Sequence, residues 1–494
     1  MPVVAEGLEI RPSLDEARAL AAEHSLVPLR HTFIADTETP VSAYLKLRGS
    51  GPSFLLESAE GGQRVGRWSF LGVHPRSLIR LDKGVLTIDG EPREFDDPYA
   101  AVSEELSRYR AAPLADLPPF AGGAVGLFGY DLVRWAEPTV GRRQNELGVP
   151  DLALMVSDVL LAFDHLRREL TILANVFAGD GFERAYADAV AAIADVRERL
   201  GAPVPRVRRE PCDPPPWESN VGNDGYARGV DVAKDYIRAG DIYQVVPSQR
   251  WSAGCPVEAF SIYRGLRAVN PSPYMYFLDF EDFQIAGASP EVLVTVSGRH
   301  VSQRPIAGTR PRGATLDEDN RRAESLLADQ KERAEHVMLV DLARNDLGRV
   351  SEYGSVHVDE LMAVETYSHV MHIVSEVSGT MRGDIDAMDA LRASLPAGTL
   401  SGAPKIRAMQ IIDELEPDGR GPYGGAVGYM SYTGDLDTCI YIRSAVVKDG
   451  RVHVQAGAGI VADSDPDYEV RETEAKAQAV WKAIALACAQ GDWA

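Results

Sequence analysis

Two pairs of glutamates have the residue type and the spacing of a divalent metal site. Glu332 and Glu335 lie three residues apart in QKERAEHVML, and Glu469 and Glu472 repeat this spacing in DPDYEVRETEAKAQAV. Side chains three residues apart share one face of a helix, and Mg²⁺ prefers a few carboxylates together with water and substrate oxygens. Two such helices facing each other would therefore suit Mg²⁺. Glutamates at this spacing more often form a solvated helix face, so the spacing alone leaves both interpretations open.

Several basic side chains also have a functional and a structural interpretation. The segment RPIAGTRPRG places Arg304, Arg310 and Arg312 around an Ala-Gly-Thr turn, which is typical of an anion-binding loop or of a surface loop. His372 lies among alternating apolar residues, where a histidine is more often a satisfied core residue than a base. The apolar run CIYIRSAVV predicts that Arg443 lies within a strand, where its guanidinium needs a carboxylate from the protein or from a ligand.

Two glycine-rich stretches, YGGAVGY and QAGAGIV, do not have the form of a nucleotide site. Neither carries the Lys-Ser/Thr of a P-loop, and neither shows a full G-x-G-x-x-G in a strand-turn-helix setting. Their glycines predict either tight strand packing or a close approach of backbone N–H groups to an anionic ligand.

The elements that must position these residues begin with helices and antiparallel strands in the N-terminal part. Ser13 and Glu16 form a capping box that predicts a helix start. Apolar runs separated by DKG and IDG turns predict antiparallel strands, and apolar spacings of three and four predict a helix over 182–196. Six prolines then follow in GAPVPRVRREPCDPPPWES, which excludes regular structure there.

Beyond these prolines, helical segments alternate with strand-like ones. Residues 225–241 and 319–346 have helical patterns, and Lys-Asp-Gly-Arg between two alternating apolar runs predicts a hairpin. Ser464 as cap and Pro466 in the first turn predict the start of the last helix. The regular rhythm of parallel βαβ units is missing. We therefore predict an α+β fold in which large antiparallel β-sheets form a sandwich-like core with helices outside.

We predict an N-terminal module over 1–210, a proline-rich linker over 211–222 and a second domain over 223–490. The charge of the whole chain limits its partners. Lys and Arg number 51 against 73 Asp and Glu, which gives a formal net charge of −22 and argues against nucleic acid and anionic membranes. With no signal segment and no long apolar run, the chain is expected to be cytoplasmic. Its four cysteines form no C-x-x-C pair.

From Gly225 onward the chain resembles the chorismate-binding enzymes. The resemblance rests on a series of motifs in order: GDIYQVVPSQR, NPSPYMYF, GASPE, RPIAGTRPRG, EHVMLVDLARNDLGRV, ETYSHVMHIVSEV, GTLSGAPKIRAM, YGGAVGYMSYTGDLDTCIYIRSA and VQAGAGIVADSDPDYEVRETEAKA. It implies that 223–490 is the catalytic domain and that 1–210, which resembles the family mainly through LLESAE, is a regulatory module.

The resemblance implies a lyase reaction on chorismate. Ammonia adds at C2 of the ring and the C4 hydroxyl leaves, and then pyruvate is eliminated to give anthranilate for tryptophan biosynthesis. Mg²⁺ held by Glu335 and Glu472, with support from Glu332 and Glu469, would bind the ring carboxylate. Glu291 would be the general acid at C4, and His372, with Thr399 beside it, would remove the proton from C2. The implied substrate contacts are Gly308, Thr309, Tyr423, Arg443, Gly457, Ala458, Gly459 and Lys476.

Two positions separate this reaction from those of similar enzymes. Isochorismate and salicylate synthases carry a lysine that activates water where this chain has Gln244, and aminodeoxychorismate synthase typically carries a nucleophilic lysine where this chain has Ala307. The resemblance therefore favours ammonia as the nucleophile at C2. The alternatives are an enzyme that stops at 2-amino-2-deoxyisochorismate, an aminodeoxychorismate synthase, and a non-catalytic tryptophan-binding regulatory subunit.

The same resemblance implies partners. None of the four cysteines lies in a Gly-flanked elbow, so we expect ammonia to come from a separate glutamine amidotransferase subunit, in a heterotetramer. L-Tryptophan is the expected feedback inhibitor. The residues that match the family's tryptophan motifs are Ser58, Pro273, Tyr274 and Met275, although LLES could simply end a core strand.

Overall fold

The computed structural model describes residues 8–58, 66–140, 143–206, 209–367 and 370–491. Its helices are α1 (Leu14–Ala21), α2 (Pro40–Leu47), α3 (Pro98–Ser107), α4 (Val133–Ala136), α5 (Phe182–Leu200), α6 (Gly222–Ala239), α7 (Ala259–Val269), α8 (Leu316–Ala328), α9 (Gln330–Gly348), α10 (Ala387–Ser394), α11 (Gly398–Ser401), α12 (Lys405–Leu415) and α13 (Pro466–Ala489). A 3₁₀ turn spans Tyr130–Leu132. None of the described helices is both long enough and apolar enough to cross a membrane.

The strands are short and numerous. They are β1 (Leu26–Ile34), β2 (Ser53–Glu57), β3 (Trp68–Val73), β4 (Ser77–Asp82), β5 (Val85–Ile88), β6 (Glu91–Arg93), β7 (Gly123–Phe128), β8 (Leu152–Ser157), β9 (Val159–Asp164), β10 (Glu169–Phe177), β11 (Glu218–Ser219), β12 (Gln244–Val245), β13 (Ser248–Gly254), β14 (Tyr274–Asp279), β15 (Phe283–Ser289), β16 (Val292–Ser297), β17 (His300–Gln303), β18 (Ile306–Pro311), β19 (His357–Thr366), β20 (Val370–Thr380), β21 (Gly402–Ala403), β22 (Ala426–Ser431), β23 (Leu436–Ile440), β24 (Ser444–Lys448) and β25 (Arg451–Gly457).

These strands form two large antiparallel sheets. The first sheet has the order β1-β10-β9-β3-β2-β14-β15-β24-β25-β13-β11. The second has the order β18-β20-β17-β16-β23-β22-β7-β8-β4-β5-β6, with β19 paired to β20, while β12 and β21 pair separately. The predicted α+β class with large antiparallel sheets is confirmed.

The core has two layers because successive side chains of a strand point to opposite faces. In β2, Phe54 packs between the two sheets while Leu55 packs under the helices that cover the first sheet. In β24, Val446 likewise packs between the two sheets and Val447 packs under the helices. The first sheet is therefore covered by the second sheet on one face and by helices, α13 among them, on the other.

Both sheets contain strands from each side of the predicted domain boundary. Strands from 1–210 form one contiguous part of each sheet, and strands from the later part of the chain continue it. The two junctions are β2 against β14, where Leu55 pairs with Phe277, and β7 against β22, where Gly126 pairs with Gly428. The division into 1–210, 211–222 and 223–490 thus does not mark two separate sheets.

Local predictions are mostly confirmed, with two differences at helix starts. The capping box at Ser13, the helix from Phe182 and the hairpin of β24 and β25 are present. The run predicted over 319–346 divides at Asp329, whose carboxylate accepts the backbone N–H groups of Lys331 and Glu332 and so starts α9.

The start of α13 is one residue from the prediction. Its cap is Asp465, which accepts the backbone N–H of Tyr468 at 2.8 Å. The hydroxyl of Ser464 instead accepts the N–H of Val461 at 3.1 Å. Pro466 occupies the first turn, as predicted.

Candidate active site

A cavity of about 780 Å³ brings the predicted chemistry together. Its wall is formed by segments from Gln244 to Lys476 that are far apart in sequence. The predicted catalytic, substrate and metal residues that line it are Glu291, Gly308, Thr309, Glu332, Glu335, His372, Thr399, Tyr423, Arg443, Gly457, Gly459, Glu469, Glu472 and Lys476.

Glu291, the predicted acid, and Arg443 both lie where the chain passes from one sheet to the other. Glu291 follows β15 of the first sheet and precedes β16 of the second, and Arg443 lies between β23 of the second sheet and β24 of the first. The prediction that Arg443 lies within a strand is therefore wrong. Its backbone is left-handed, with φ of 54°, because the chain turns sharply there to change sheets.

Each glutamate pair begins in the first turn of its helix. Glu332 is in the first turn of α9 and Glu469 in the first turn of α13, with Glu335 and Glu472 one turn later. A helix N-terminus carries partial positive charge that stabilises carboxylates. This placement lets four acidic side chains face one cavity.

Desolvation and like charge act on these carboxylates. Burial raises the pKa of Glu335, with a smaller contribution from Glu332, against a hydrogen bond donated by Gln244 Nε2 at 3.4 Å. Burial also raises the pKa of Glu469. Glu472 pairs with Lys476 at 2.7 Å. Within the described ranges, no three His, Cys, Asp or Glu side chains are grouped as a metal site, so Mg²⁺ remains a prediction.

His372 is arranged as a neutral base. Its Nδ1 lies 2.9 Å from the carbonyl oxygen of Gly308 and 3.1 Å from the hydroxyl of Thr309. Because a carbonyl oxygen can only accept, Nδ1 carries the proton and Nε2 is left with its lone pair. Burial lowers the pKa of His372, which keeps the ring unprotonated near neutral pH.

Glu291 is arranged as an acid. Desolvation raises its pKa to about 7, against the hydrogen bond from Thr399 and the charge of Lys476. The hydroxyl of Thr399 donates to one carboxyl oxygen at 3.1 Å. A carboxyl group with this pKa is substantially protonated at neutral pH and can donate a proton to a leaving group.

Arg443 faces the cavity without a partner. In the part of the chain that the structure describes, its guanidinium makes no hydrogen bond or ion pair, and burial lowers its pKa. The phenol of Tyr423 is beside it, and burial raises the pKa of that phenol to about 12, so it stays protonated and can donate. A carboxylate of a ligand would satisfy both groups.

Lys476 and Ala458 already have partners within the protein. The ammonium of Lys476 is already bonded to Glu472 and to the carbonyl oxygen of Gly457 at 2.9 Å. The N–H of Ala458 donates to the phenol oxygen of Tyr226 at 3.2 Å and to Pro247. Ala458 does not line the cavity because this amide turns into the protein.

The basic loop is neutralised by neighbouring acids. Arg304 pairs with Glu365, Arg312 with Asp319, and Arg310 with Asp329 and Glu332. These arginines therefore form a paired loop, and its Gly308 and Thr309 are the residues that support His372. Each arginine has an acidic partner, and Arg310 also lines the large cavity.

The two glycine stretches have different roles. A side chain at Gly428 in YGGAVGY would lie 2.0 Å from the carbonyl oxygen of Asp437 on the neighbouring strand, so this glycine allows strand packing. In QAGAGIV, Gly457 and Gly459 line the cavity. A side chain at Gly459 would lie 2.6 Å from the amide of Gln244.

The polar residues of the cavity wall that were not predicted from the sequence include Lys331, Arg471 and Gln455. Lys331 and Arg471 add positive charge, and Gln455 presents a buried amide oxygen without a partner. Gln455 lies two residues before Gly457 on β25 and so shares its face. This alternation could have identified Gln455, whereas nothing in the pattern distinguished Lys331 and Arg471 from solvated helix residues.

A second cavity of about 150 Å³ contains the predicted tryptophan residues. Ser58 follows β2, Pro273 precedes β14, and Tyr274 and Met275 are the first two residues of β14. Because β2 and β14 are neighbouring strands, all four residues line this cavity. The hydroxyl of Ser58 is buried and has no hydrogen-bond partner within the described part of the chain. The ring of Trp68 and the guanidinium of Arg67, with its carbon 4.8 Å from the ring centroid, form the opposite part of the wall.

The fold and the site define a chorismate-binding enzyme, and the chain belongs to that family: the family model described as chorismate binding enzyme matches residues 51–482. The sequence resemblance is thus confirmed. The chain is 49% identical to anthranilate synthase component 1 of Pseudomonas putida over 95% of this chain and 97% of that protein. It is also 49% identical to the component 1 of Thermus thermophilus, over 93% and 98%.

Solved structures agree with this assignment. The chain superimposes on anthranilate synthase component I from Streptococcus pneumoniae TIGR4 with a TM-score of 0.77 and 39% identity, covering 91% of this chain and 98% of that chain. The menaquinone-specific isochorismate synthase of Escherichia coli has the same fold, with a TM-score of 0.70 at 19% identity over 95% of this chain and 98% of that one.

Proposed function

We propose that this chain converts chorismate and ammonia to anthranilate and pyruvate; its relatives are named anthranilate synthase component 1. The observation that carries the proposal is one cavity in which an acid with a pKa of about 7, a neutral histidine and an unpartnered guanidinium face the same space. Addition followed by elimination requires an acid and a base at different ring positions.

The protein residues divide the proton transfers. Glu291 donates its proton to the departing C4 hydroxyl, which leaves as water, while ammonia bonds to C2 and then releases one proton to become the amine. His372 Nε2 then removes the proton from C2 while the C3–O bond breaks, and the released enolpyruvate takes up a proton at its methylene carbon to become pyruvate. Gly308 and Thr309 hold the ring of His372 through Nδ1, so Nε2 is fixed as the accepting atom.

Arg443 and Tyr423 bind the enolpyruvyl carboxylate. A buried cation without a protein partner is costly unless a ligand neutralises it. A bidentate carboxylate satisfies the guanidinium, and the phenol donates one further hydrogen bond. A side chain at Gly457 would lie 2.5 Å from the carbonyl oxygen of Pro247, and one at Gly459 would lie 2.6 Å from the amide of Gln244, so these two glycines allow the cavity wall to pack closely.

The carboxylates fit Mg²⁺, which we include in the proposal. Four glutamates face the cavity, and burial makes the charged forms of Glu335 and Glu469 costly, which a divalent cation would offset. Glu335 and Glu472 would hold the ion, with Glu332 and Glu469 as support. Bound there, Mg²⁺ would neutralise the negative charge of the glutamates and bind the ring carboxylate.

The residues at the two discriminating positions favour ammonia over water. Gln244 donates its amide to Glu335 and has no basic group to activate water, and Ala307 in the cavity wall cannot act as a nucleophile. Ammonia needs no such activation. A separate glutamine amidotransferase component, in a heterotetramer, would supply it, consistent with the name component 1 of the relatives.

The decisive experiment is product identification. Chorismate, an ammonium salt and Mg²⁺ should give equimolar fluorescent anthranilate and pyruvate with the isolated chain. Glu472→Gln should abolish Mg²⁺-dependent turnover, whereas Glu474→Gln should keep it, because Glu474 lies outside the cavity and accepts from Asn223. Accumulation of an aminated product without pyruvate would identify a 2-amino-2-deoxyisochorismate synthase instead, and no turnover with intact tryptophan binding would identify a regulatory subunit.

We also propose that the second cavity binds L-tryptophan and inhibits the reaction. Its apolar and aromatic walls and the unpartnered hydroxyl of Ser58 suit an amphipathic amino acid. Tryptophan should reduce wild-type activity, and Ser58→Ala should require more tryptophan for the same inhibition while keeping the uninhibited rate. Ser77→Ala, outside the cavity, is the matched control. Full activity of the wild type at saturating tryptophan would refute this site.

A further inference from the structure

Behind Glu291 lies a small chamber of about 40 Å³. Glu291, Thr399 and Leu339 line both this chamber and the large cavity, so they form the wall between them. The far side of the chamber is lined by Arg304, Ala343 and Asp346. No part of the reaction described above uses Asp346, although only 3% of its surface is exposed.

Two polar atoms at this chamber, Asp346 Oδ1 and Arg304 Nε, are buried and have no hydrogen-bond partner among the residues that the structure describes. The other ends of both side chains are satisfied. Asp346 Oδ2 accepts from Lys405 Nζ at 2.7 Å, and Arg304 pairs with Glu365. An unmatched buried donor and an unmatched buried acceptor each carry the cost of a lost hydrogen bond.

Ordered water is the simplest way to satisfy both atoms. A buried water needs on the order of 10–15 Å³ and two to four polar partners. The chamber has room for about two or three such waters by this measure, and Arg304 Nε–H, Asp346 Oδ1 and the Glu291 carboxyl offer one donor and two acceptors. Its other lining residues include Val292, Leu293 and Leu339, which confine the water to these groups.

A general acid must regain its proton in every turnover, and bound substrate covers the side of Glu291 that faces the large cavity. We propose that Glu291 is reprotonated from behind, through water in this chamber, by Asp346 and Lys405. The inference rests on the proposed function and extends it. After Glu291 gives its proton to the C4 hydroxyl, a chamber water donates a proton to Glu291 and takes one from Asp346. Lys405 Nζ then gives a proton to Asp346 Oδ2 and regains one from solvent.

The charges around the chamber are compatible with this path. Burial raises the pKa of Asp346, against Lys405 and Arg349, so its carboxyl can hold a proton. Glu291 faces Thr399 and the charge of Lys476. Lys405 comes from α12, with its side chain 13% exposed. Arg304 keeps its charge through Glu365 and cannot itself release a proton.

Two variants interrupt the path in different ways. Asp346→Asn removes the titratable group, and Ala343→Val adds two methyl groups that displace water without touching the Asp346 and Lys405 pair. Both should lower kcat at least about fivefold, keep KM for chorismate within about twofold, and increase the solvent deuterium isotope effect on kcat. Ala334→Val, on an exposed position of α9, is the matched control and should retain the wild-type kcat.

The outcomes separate the relay from other roles. If Asp346→Asn does not fold, as judged by urea denaturation, Ala343→Val decides. Folded variants with wild-type kcat and isotope effect would overturn the relay, and so would a loss confined to KM, because that would show only a structural role. If the wild-type chain itself makes no anthranilate and pyruvate, the proposed function fails first, and the relay fails with it.

Discussion

Glu291 and His372 are the two titratable side chains on which the proposed chemistry depends, and burial moves their pKa values in opposite directions. It raises the pKa of the Glu291 carboxyl to about 7 and lowers the pKa of the His372 ring. Burial disfavours the charged form of each group. Both are therefore neutral in the same pH range, which is the state in which a carboxyl can donate and an imidazole can accept.

Removing the acid should change both the rate and its pH dependence. Glu291 must be protonated to act, so wild-type kcat should fall as pH rises through about 7. Glu291→Gln should lower kcat about 10²- to 10⁴-fold and should not show this alkaline decrease. Glu281→Gln, at an exposed turn before β15, is the control. An unchanged alkaline limb in Glu291→Gln would assign that ionisation to another group.

Arg443 should contribute to binding and not to stability. Its guanidinium has no partner among the described residues, so Arg443→Met leaves no carboxylate unpaired and removes a desolvated charge. We expect the free energy of unfolding to stay the same or rise, while kcat/KM for chorismate falls at least about tenfold. Urea denaturation and steady-state kinetics measure the two effects. A clear loss of stability would mean that Arg443 has a structural partner.

At the scale of elements, local chemistry predicts helix starts and turns better than it predicts positions between sheets. The capping box at Ser13 and the hairpin turn before Arg451 depend on neighbours in sequence, and both are present. Neighbouring cap candidates are harder, because Asp465 rather than Ser464 caps α13. The passage of Arg443 between sheets depends on distant strand pairing, which periodicity does not reveal.

The site itself was largely predictable because motifs carry residue identity. The resemblance supplied the roles of Glu291, His372 and Arg443, and the structure brings them to one cavity. The resemblance did not predict the neighbouring groups that set their protonation states, such as the carbonyl oxygen of Gly308, which accepts a hydrogen bond from His372 Nδ1. It also missed that the N–H of Ala458 is used inside the protein.

A buried ion pair joins the elements around the cavity. Arg420 and Glu416 are 2.6 Å apart and almost wholly buried. Arg420 also donates to the carbonyl oxygens of Leu400 and Val246, and Glu416 accepts the N–H and hydroxyl of Ser248. Leu400 and Val246 line the large cavity, so this pair fixes the segments that form its wall.

Breaking that pair should destabilise the protein strongly. Arg420→Met leaves Glu416 buried and uncompensated, so we expect a loss of about 3–5 kcal/mol in the free energy of unfolding. Arg420→Lys keeps the charge but loses the planar guanidinium with its several donors. Its free energy of unfolding should therefore lie between those of Arg420→Met and the wild type. The control Arg344→Met removes an exposed arginine and should change stability by less than about 1 kcal/mol. Equal stability of Arg420→Met and wild type in urea would contradict this account.

At the scale of the whole molecule, the net charge of −22 does not describe the charge of the large cavity, where basic and acidic side chains are mixed. Arg443, Lys476, Lys331 and Arg471 all line the large cavity. Together with a divalent cation they would offset the four glutamates there and admit a dicarboxylate. The global charge therefore bears on large anionic partners, whereas the cavity residues decide small-molecule binding.

The two sheets also make the halves of the chain depend on each other. Residues 1–210 supply one part of each sheet, and β2 and β7 would be open edges without β14 and β22. All six residues of β7 are buried. An exposed apolar strand edge tends to pair with another chain. A cut in the proline-rich segment should therefore leave two pieces that associate through these edges.

We therefore expect pieces 1–210 and 211–494 to aggregate or bind hydrophobic dye when produced separately, and to form a 1:1 complex when produced together. The complex should regain activity, because every residue predicted to act on chorismate lies in the second piece, where β14 and β22 need their partners for order. Size-exclusion chromatography and the anthranilate assay measure assembly and activity, and in the intact chain urea should unfold both parts in one transition. Two pieces that remain separate, soluble and folded at micromolar concentration would show that the junctions β2–β14 and β7–β22 contribute little.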